Sequence, residues 1–383
     1  MLKRFEVSNY KNFKQTIALD FSMVGGYQFC KDCVTDGLLG KILIYGRNAT
    51  GKTNFGKAIM DIASVLSDGW IQYSLFTNEA DLLSESTVFC YTFGFGADEI
   101  RYEYHKGQEQ EIQFEALFIN DRMIYECNFA ERKFDFSNLD YIGTETLNTD
   151  RFLKSNLTVP REENVSGQRL SFLRWLLNNS ALKQESLLLR MEQYVKCMRM
   201  FRTENALPNT GRPIKDVFFE KLSKGDELKR LEEFLNAMGV DCRLWLEKLP
   251  DGKQELYFKK ERLLPFYENA SSGTLALVEL YRRLDMYAEP TSFLYMDEFD
   301  AFYHYEMAEN VVKYLKKAYP QCQIIMTSHN TNLMTNRLMR PDSLFILSRE
   351  GKLTALCNAT LRELREGHNL EKMYISGEFE QYE

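Results

Sequence analysis

The feature that most constrains the fold of this chain is a glycine-containing loop directly after a short apolar segment. The segment KILIY spans residues 41–45, and the loop GRNATGKT spans residues 46–53, which fills the pattern G-x-x-x-x-G-K-[ST]. Apolar residues then recur at a helical spacing, at Phe55, Ile59, Ile62 and Leu66. A strand, a glycine loop and an amphipathic helix in this order are the context that a phosphate-binding P-loop requires. The sequence therefore predicts a nucleotide-binding site.

Each part of the predicted loop has a physical task. Consecutive backbone N–H groups point at a polyphosphate, and the positive end of the following helix dipole faces the same anion. We expect Lys52 to reach the outer phosphates and Thr53 to offer its hydroxyl to magnesium. The residues predicted to contact the nucleotide are Gly46, Asn48, Ala49, Thr50, Gly51, Lys52, Thr53 and Asn54.

The overall composition limits the class of protein. With 383 residues the chain is longer than one hydrophobic core usually organises, which favours a compact core with an inserted second lobe. The net charge of -7 gives no whole-chain argument for nucleic-acid binding. Basic clusters at residues 196–202 and 259–262 are candidates for a local basic face, although solvated helix and loop faces are the commoner explanation.

The sequence contains neither a membrane span nor an export signal. Every apolar run is shorter than the roughly 18 residues that cross a bilayer, and the N-terminus lacks the apolar region of a signal peptide. We therefore expect a cytoplasmic protein without membrane association. The eight cysteines are scattered, and the close pair Cys30 and Cys33 has no second pair or histidine partner to complete a zinc site. They are interpreted as free thiols of a reducing compartment.

The first half of the chain changes from strand-like to helix-like periodicity. Residues 2–7 and 17–21 alternate at the strand period. From residue 86 to about 136, four apolar runs separated by turn residues predict an antiparallel meander attached to the core. Helical periodicity over residues 170–200 and 215–238 then predicts a helical insertion.

The second half returns to core elements. A hairpin is predicted over residues 244–259, with its turn at 250–252. Helices at 273–287 and 305–317 alternate with strands at 292–296, 323–327, 344–347 and 353–357. Alternating strands and helices imply a mostly parallel sheet with covering helices. We therefore divide the chain into an N-terminal lobe (1–142), a helical insertion (143–243) and a C-terminal lobe (244–383).

Two carboxylates follow the apolar segment at residues 293–296. We predict that Asp297 binds the hydrated magnesium ion and that Glu298 polarises the attacking water as a base. Phosphoryl transfer needs charge neutralisation and a positioned water, with little covalent chemistry. An Asp-Glu pair at a strand end is also common on protein surfaces, and the upstream P-loop is what favours the functional interpretation.

His329 follows the next predicted strand. Parallel topology would bring this side chain to the same edge of the sheet as Asp297 and the P-loop. A neutral imidazole at that edge can contact a γ-phosphate and report its loss. A lone histidine is more often structural, but the strand-end position after Ser328 favours the sensing role.

Small hydroxyl residues and a glycine precede the helix predicted at 273–287. Ser272 is a plausible helix cap, and a helix N-terminus of this kind can bind a second anion. On its own the segment is merely a good N-cap. Together with the P-loop, it suits a nucleotide held between the P-loop of one subunit and this segment of another.

Together these motifs resemble those of the ABC-type ATPase heads of the SMC and RecF group. They are more similar to the AAA15 and OLD-like ATPases of bacterial antiphage and abortive-infection systems. The shared order comprises NYKNF at residues 9–13, the P-loop, SSGT at 271–274, MDEFD at 296–300 and TSH at 327–329. The resemblance covers both ends of the chain well and the middle weakly.

The resemblance implies a fold, cofactors and roles for individual residues. The fold would be an α/β P-loop NTPase of ABC-ATPase type, with a mostly parallel core sheet, an antiparallel β lobe and a helical insertion. Its cofactors would be ATP and Mg2+. Ser272 and Gly273 would be the signature that contacts the partner's nucleotide, Asp300 the D-loop residue and His329 the switch histidine. Lys11 would be a basic residue that approaches the nucleotide.

The sequence also departs from this group. Residues 301–304 read AFYH where relatives often have a small residue and leucine before the histidine, so signalling between subunits through this loop is less certain. A clear Q-loop is missing, and Gln168 is the best-placed candidate. The OLD nucleases carry a nuclease domain after the ATPase, whereas this chain ends soon after the last predicted strands. Any nuclease or toxin activity would then come from a separate effector protein.

The resulting interpretation is a magnesium-dependent ATPase that forms an ATP-sandwich dimer or a higher homo-oligomer. The resemblance suggests that it senses phage infection, with a phage protein as a possible trigger, and controls the effector. The main alternative is a DNA-repair ATPase of the RecF or SMC type that binds DNA directly; the acidic balance and the absence of long coiled-coil arms oppose it. A third reading is a nucleotide-bound platform with negligible turnover, which the intact Glu298 opposes.

Overall fold

The computed structural model describes residues 1–67, 86–107, 111–144, 147–157, 170–202, 218–285 and 290–383. The strands in these ranges are β1 (Leu2–Ser8), β2 (Ile17–Asp20), β3 (Val34–Thr35), β4 (Leu38–Leu39), β5 (Lys41–Tyr45), β6 (Thr87–Phe95), β7 (Asp98–Lys106), β8 (Ile112–Ile119), β9 (Arg122–Asn128), β10 (Lys133–Asp135), β11 (Met198–Arg202), β12 (Leu244–Lys248), β13 (Gln254–Lys259), β14 (Leu263–Pro265), β15 (Phe293–Asp297), β16 (Gln323–Ser328), β17 (Leu344–Leu347) and β18 (Leu353–Ala355). The helices are α1 (Lys52–Leu66), α2 (Thr149–Leu157), α3 (Phe172–Asn179), α4 (Leu187–Lys196), α5 (Glu227–Ala237), α6 (Phe266–Asn269), α7 (Ser272–Asp285), α8 (Tyr305–Ala318) and α9 (Leu370–Ile375).

A six-stranded sheet in the order β11-β15-β16-β5-β17-β18 forms the core. The first five of these strands are parallel, and β18 pairs antiparallel with β17. Every residue of β5, β15, β16 and β17 is buried. Such continuous apolar strands are typical of a parallel sheet that is covered on both faces. The predicted fold class is therefore confirmed.

A second sheet of seven strands has the order β10-β9-β8-β7-β6-β1-β2. All of its neighbouring pairs are antiparallel, and β6 to β10 follow one another in chain order. This run is the predicted antiparallel meander. Along β7, buried and half-buried residues alternate over most of the strand, because one face packs on the core and the other faces solvent.

Helix α1 lies between the two sheets. On one side the Tyr91 hydroxyl of β6 donates to the carbonyl of Ala58 over 2.7 Å, and on the other the Tyr295 hydroxyl of β15 donates to the carbonyl of Lys52 over 2.6 Å. The Phe55 ring packs edge-on against Phe5 of β1, with 5.8 Å between the ring centroids. The helix that begins at the P-loop is therefore held by both sheets.

The segment with helical periodicity, residues 170–200, ends in a strand in the structure. Two helices, α3 and α4, are present, but Met198 begins β11, which pairs in parallel with β15. Phe201 is buried in the same core as Met296. Tertiary pairing with a buried strand overrides a helical sequence pattern in so short a segment. The prediction of helix up to Met200 is therefore wrong for the last three residues, and the segment assigned to a helical insertion contributes an edge strand to the core sheet.

The predicted hairpin is β12 and β13, to which β14 adds a third strand. The chain then enters α6 and α7. Helix α7 spans Ser272–Asp285. The last two residues of the predicted helix, 286 and 287, lie outside the described residues. Helices α5 and α7 share a hydrophobic core with β15 and β16.

Within the described ranges, every helix falls short of the length and apolar character that a membrane crossing requires.

The close cysteine pair makes separate contacts. Cys33 is buried with its sulfur 3.9 Å from that of Met339, and the Cys30 thiol donates to the carbonyl of Asn336 over 3.3 Å.

Candidate functional site

Three sequence motifs meet at one edge of the core sheet. Strands β15, β16 and β5 are parallel neighbours, so their carboxyl ends lie side by side. The P-loop follows β5, Asp297 ends β15 and Ser328 ends β16. Ligands of open α/β sheets bind at this kind of edge.

The P-loop turns sharply before α1. Ala49 and Gly51 both have positive φ angles, of 64° and 103°. The second value is costly for any residue with a Cβ, and a Cβ at position 51 would also collide with the Asn12 side chain. Residues 47–49 are exposed, whereas Thr50 is buried with its hydroxyl donating to the carbonyl of Arg47 over 3.0 Å. The loop therefore presents its outer backbone to solvent at the helix N-terminus.

Lys52 lies inside the loop that it follows. Its Nζ donates to the carbonyls of Gly46 over 2.7 Å and Arg47 over 3.1 Å. Burial lowers the pKa of this amine from its ordinary value, while the nearby carboxylates of Glu298 and Asp297 act in the opposite direction. The ammonium group is therefore poorly solvated and held where a phosphate would provide a strong charge partner.

A hydroxyl and a carboxylate meet beside the lysine. Thr53 Oγ1 donates to Asp297 Oδ2 over 2.6 Å, and Thr327 Oγ1 donates to Asp297 Oδ1 over 3.0 Å. Asp297 is almost completely buried, and burial raises its pKa in spite of these two hydrogen bonds. The hydroxyls orient the carboxylate without neutralising its charge, so the site retains a negative group that favours a cation.

The oxygen atoms of this cluster fit a magnesium ion. A hydroxyl from the P-loop and a carboxylate from the end of β15 are hard ligands of the type that Mg2+ prefers. Thr53 and Asp297 would hold the ion, which would supply charge neutralisation on bound phosphates.

Glu298 and His329 face each other at the exposed side of the site. The His329 Nε2 atom lies 3.4 Å from Glu298 Oε1, and both side chains are more than one third exposed. Glu298 has a positive φ of 48°, a conformation that is uncommon for a residue with a Cβ. Its backbone N–H donates to Thr327 Oγ1 over 2.8 Å, which fixes the turn. Backbone strain of this kind often occurs at functional sites.

Asp300 lies one turn further along the loop. It accepts a hydrogen bond from Ser328 Oγ over 2.7 Å, and burial raises the pKa of its carboxyl group. The same Ser328 oxygen accepts from the backbone N–H of Asn330 over 2.8 Å. The loops after β15 and β16 are therefore joined by side-chain hydrogen bonds.

The predicted signature segment has a different cap from the one expected. Ser271, not Ser272, accepts from the backbone N–H of Thr274 over 3.1 Å and lies 2.9 Å from its hydroxyl. The prediction that Ser272 caps the helix is therefore wrong, because Ser272 is already the first helical residue. Its side chain is exposed. Gly273 is required by packing, since a Cβ at this position would lie 2.9 Å from the carbonyl oxygen of Phe302.

The N-terminal motif contributes through Asn12 more than through Lys11. Asn12 Nδ2 donates to the carbonyl of Thr50 over 3.0 Å, and its Oδ1 accepts from Asn54 over 2.7 Å. Lys11 has a positive φ of 51°, and its Nζ lies 5.8 Å from the centre of the Tyr10 ring. The role of Lys11 at the nucleotide stays a prediction. Asn12 is the fourth residue of the NYKNF motif, and its amide was the sequence feature that could have predicted this contact with the P-loop.

Arg202 is a cationic residue at the site that the sequence patterns did not indicate. Arg202 ends β11 and is paired in register with Asp297, and its Nε lies 3.9 Å from Asp297 Oδ2. The helical pattern of the preceding residues concealed this strand. Gln168, the residue predicted for the Q-loop, lies outside the described residues.

One protein-family model matches most of the chain. The model of a family described as "AAA domain, putative AbiEii toxin, Type IV TA system" matches residues 42–335, about three quarters of the chain. A search of curated proteins finds no significant match.

Several solved structures are similar to the chain at low sequence identity. The SMC head domain from Thermotoga maritima is 15% identical, with 90% of this chain and 94% of that chain covered and a TM-score of 0.43. An Smc head domain from Pyrococcus furiosus, with an extended coiled coil and bound to the C-terminal domain of ScpA, is 13% identical, with 99% of both chains covered and a TM-score of 0.44. An Smc head domain with a coiled coil and joint from Pyrococcus yayanosii is also 13% identical, covers 93% of this chain and 98% of that chain, and has a TM-score of 0.45.

Proposed function

The chain belongs to the family of AAA domains described as putative AbiEii toxins of type IV TA systems, and from that premise we propose that it is a magnesium-dependent ATPase that dimerises around ATP. One contact carries the proposal. The P-loop hydroxyl of Thr53 donates to Asp297, 244 residues away in the sequence, over 2.6 Å. Two motifs that were recognised separately thus meet in one oxygen cluster beside Lys52.

Each residue has a role that its surroundings support. Lys52 binds the outer phosphates, and Thr53 with Asp297 holds magnesium. Glu298, exposed at the edge of this cluster, accepts the proton of the attacking water. His329 lies next to Glu298 and contacts the terminal phosphate, so that it reports whether that phosphate is present.

The exposed Ser272 supports a site shared between two copies of the chain. Its hydroxyl stands at the N-terminus of α7, and Gly273 behind it lets the segment pack closely on the loop that contains Phe302. Asp300 begins the same turn, whose Tyr303 N–H donates to the Asp300 carbonyl over 2.9 Å. Ser272, Gly273 and Asp300 would then meet the nucleotide bound by the P-loop of the partner copy.

Two variants test this mechanism. Lys52→Ala should abolish ATP binding, because the main charge partner of the phosphates is lost. Glu298→Gln should still bind ATP, but its rate of hydrolysis should fall by at least about 100-fold, which is the usual contribution of a general base. Light scattering of Glu298→Gln with MgATP should show a dimer that the Lys52→Ala variant does not form. Unchanged phosphate release in both variants would contradict the mechanism.

We further propose that the ATPase is the sensor and scaffold subunit of a defence system that controls a separate effector. The family description, which names a toxin–antitoxin system, supports a role of this class. Phage challenge of bacteria that carry the chain with its neighbouring genes tests the proposal. Protection should require both Lys52 and the effector gene. Protection by the chain without any neighbouring gene would contradict a separate effector.

The same description favours a second candidate, in which the chain itself is the toxic component. Induced expression of the chain alone separates the two proposals. Growth arrest that disappears in Glu298→Gln would identify the ATPase as the toxin, whereas normal growth would favour the scaffold.

A repair ATPase that acts directly on DNA makes a different prediction. Binding to duplex DNA in the presence of ATP would then fall steeply with salt, since phosphate contacts release counterions. Several basic side chains on the antiparallel sheet are already paired with acids, as Lys3 is with Glu99 and Arg4 with Asp20. With these pairs and a net charge of -7, we expect the chain to bind duplex DNA weakly.

A further inference from the structure

Arg202 stands at the same edge of the core sheet as the magnesium ligands. Strand β11 pairs in parallel with β15, and the register joins Phe201 with Met296 and Arg202 with Asp297. Successive side chains of a strand point to opposite faces, whereas residues paired across two strands share a face. Phe201 and Met296 are both buried in the core that contains α7. The side chains of Arg202 and Asp297 therefore share the opposite face.

The end of β11 that carries Arg202 is packed against α7. The Arg283 guanidinium of α7 lies 5.0 Å from the centre of the Phe201 ring, on the side of the hydrophobic core that contains α7. The Arg202 side chain is 20% exposed, and its Nε lies 3.9 Å from Asp297 Oδ2. That oxygen is also the one that accepts from Thr53 Oγ1. The guanidinium and the P-loop hydroxyl thus converge on a single carboxylate oxygen.

On this basis we propose that Arg202 is a substrate-binding residue that contacts the terminal phosphate of ATP and makes the site prefer ATP to ADP. The inference rests on the proposed ATPase function. Thr53 and Asp297 would hold the magnesium ion, which would supply charge neutralisation on the bound phosphates beside this carboxylate. Strand β11 lies beyond β15 from the P-loop strand β5, so a polyphosphate that extends from the P-loop past Asp297 would present its terminal phosphate to Arg202.

The chemistry of the guanidinium suits this position. Arginine has five N–H donors in a planar fork, which can face a carboxylate on one side and a phosphate on the other. Asp297, Glu298 and Asp300 put three carboxylates at the end of β15 and in the loop after it, and a triphosphate bound beside them would meet their negative charge. A second cation at the carboxylate side reduces the repulsion that the terminal phosphate meets there.

Equilibrium binding of Mg·AMP-PNP and Mg·ADP tests the inference in the full chain. Arg202→Gln should weaken binding of the triphosphate analogue by at least about tenfold, the usual effect of a lost charged hydrogen bond, and leave ADP binding unchanged. Arg202→Lys should lie between wild type and Arg202→Gln, because it keeps the charge and loses the fork. Arg199→Gln is the matched control on the same strand; its guanidinium donates to the carbonyl of Met198 over 2.8 Å, and both affinities should stay unchanged.

The inference is overturned if Arg202→Gln lowers both affinities equally or lowers neither. Thermal unfolding shows whether the variant is folded, and if Arg202→Gln does not fold, the ratio of the two affinities in Arg202→Lys decides the question. Wild type and Lys52→Ala distinguish this failure from failure of the proposed function. If wild type binds AMP-PNP and Lys52→Ala does not, the nucleotide site stands whatever the result for Arg202.

Discussion

Two buried aspartates, one in each half of the molecule, are held in opposite ways. Asp61, on the side of α1 that faces the antiparallel sheet, forms a 2.6 Å ion pair with Lys106 and accepts from the Tyr104 hydroxyl over 2.7 Å. Asp297, at the carboxyl edge of the parallel sheet, accepts from two hydroxyl groups, and the Nε atom of Arg202 lies 3.9 Å from its Oδ2. The charge of Asp61 is matched by an ammonium group in direct contact, whereas Thr53 and Thr327 give Asp297 hydrogen bonds without a counter-charge.

The difference teaches how burial can be distinguished from function. A buried ion pair satisfies its own charges, and removing one partner leaves a costly isolated ion. A hydrogen bond from a neutral hydroxyl stabilises a buried carboxylate less than a close ion pair does, and burial raises the pKa of Asp297. Judged by burial alone, Asp61 and Asp297 look alike. Their contacts distinguish an aspartate with a structural role from one that would bind a metal ion.

The largest expected effect is on stability, from breaking the structural pair. Lys106→Met should lower the free energy of unfolding by about 3 to 5 kcal/mol, because Asp61 keeps a buried charge without its partner. Urea denaturation measures the loss. Lys3→Met is the control, since its pair with Glu99 is partly exposed and should be worth about 1 kcal/mol or less.

The double variant Asp61→Asn/Lys106→Met should recover much of that stability, since no isolated charge remains. An equal loss in the single and double variants would show that shape, not charge, is what the pair provides.

The next largest effect is on catalysis. Asp297→Asn should reduce ATP turnover by at least about 100-fold, because charge stabilisation by a metal is worth several kcal/mol. Its free energy of unfolding should stay the same or rise, since a buried charge is removed. Phosphate release and urea denaturation on the same sample test both parts. A large loss of stability would instead place Asp297 with Asp61 as a structural charge.

A third effect depends on pH and belongs to the antiparallel half. Glu115 is fully buried, accepts from the Tyr102 hydroxyl over 2.8 Å and from Ser171 Oγ over 2.9 Å, and burial raises its pKa from 4.5 to about 7. The raised pKa favours the protonated folded state, so this stabilisation is complete below pH 4.5 and is lost as pH rises towards 7. Over pH 5 to 7 the loss should be about 2 kcal/mol.

Urea denaturation of wild type and Glu115→Gln across this range measures the effect as a difference in slope. Wild type should lose stability relative to the variant as the pH rises. Parallel pH profiles would mean that Glu115 is ionised in the folded protein at all these values, or that its pKa is close to normal.

The smallest effect separates two adjacent serines at the start of α7. Ser271→Ala should cost about 1 kcal/mol, the usual value for a lost N-cap, whereas Ser272→Ala should leave the free energy of unfolding unchanged. In the proposed dimer the order reverses, and Ser272→Ala should weaken ATP-dependent association more than Ser271→Ala. Equal effects on stability would contradict the assignment of the cap.

Much of the fold was predictable because its elements carry strong local patterns. The P-loop matches a specific motif. The apolar runs of β5, β15, β16 and β17 are short and alternate with helices, and the meander alternates at the strand period. Strand β11 was missed because its first three residues continue a helical pattern, although all five residues pair with β15. The cap is Ser271 and not the predicted Ser272, because the sequence does not fix at which of these adjacent serines the first helical turn begins.

The sequence by itself determined the loop, the two carboxylates of Asp297 and Glu298, and the alternation that makes the core sheet parallel. These are local properties, set by residue type and by spacing along a few turns. Only the tertiary structure decided that Thr53 bonds Asp297, that Asn12 supports the P-loop, and that Arg202 joins them. Such contacts depend on strand order, which brings together residues far apart in the chain and has no local signature.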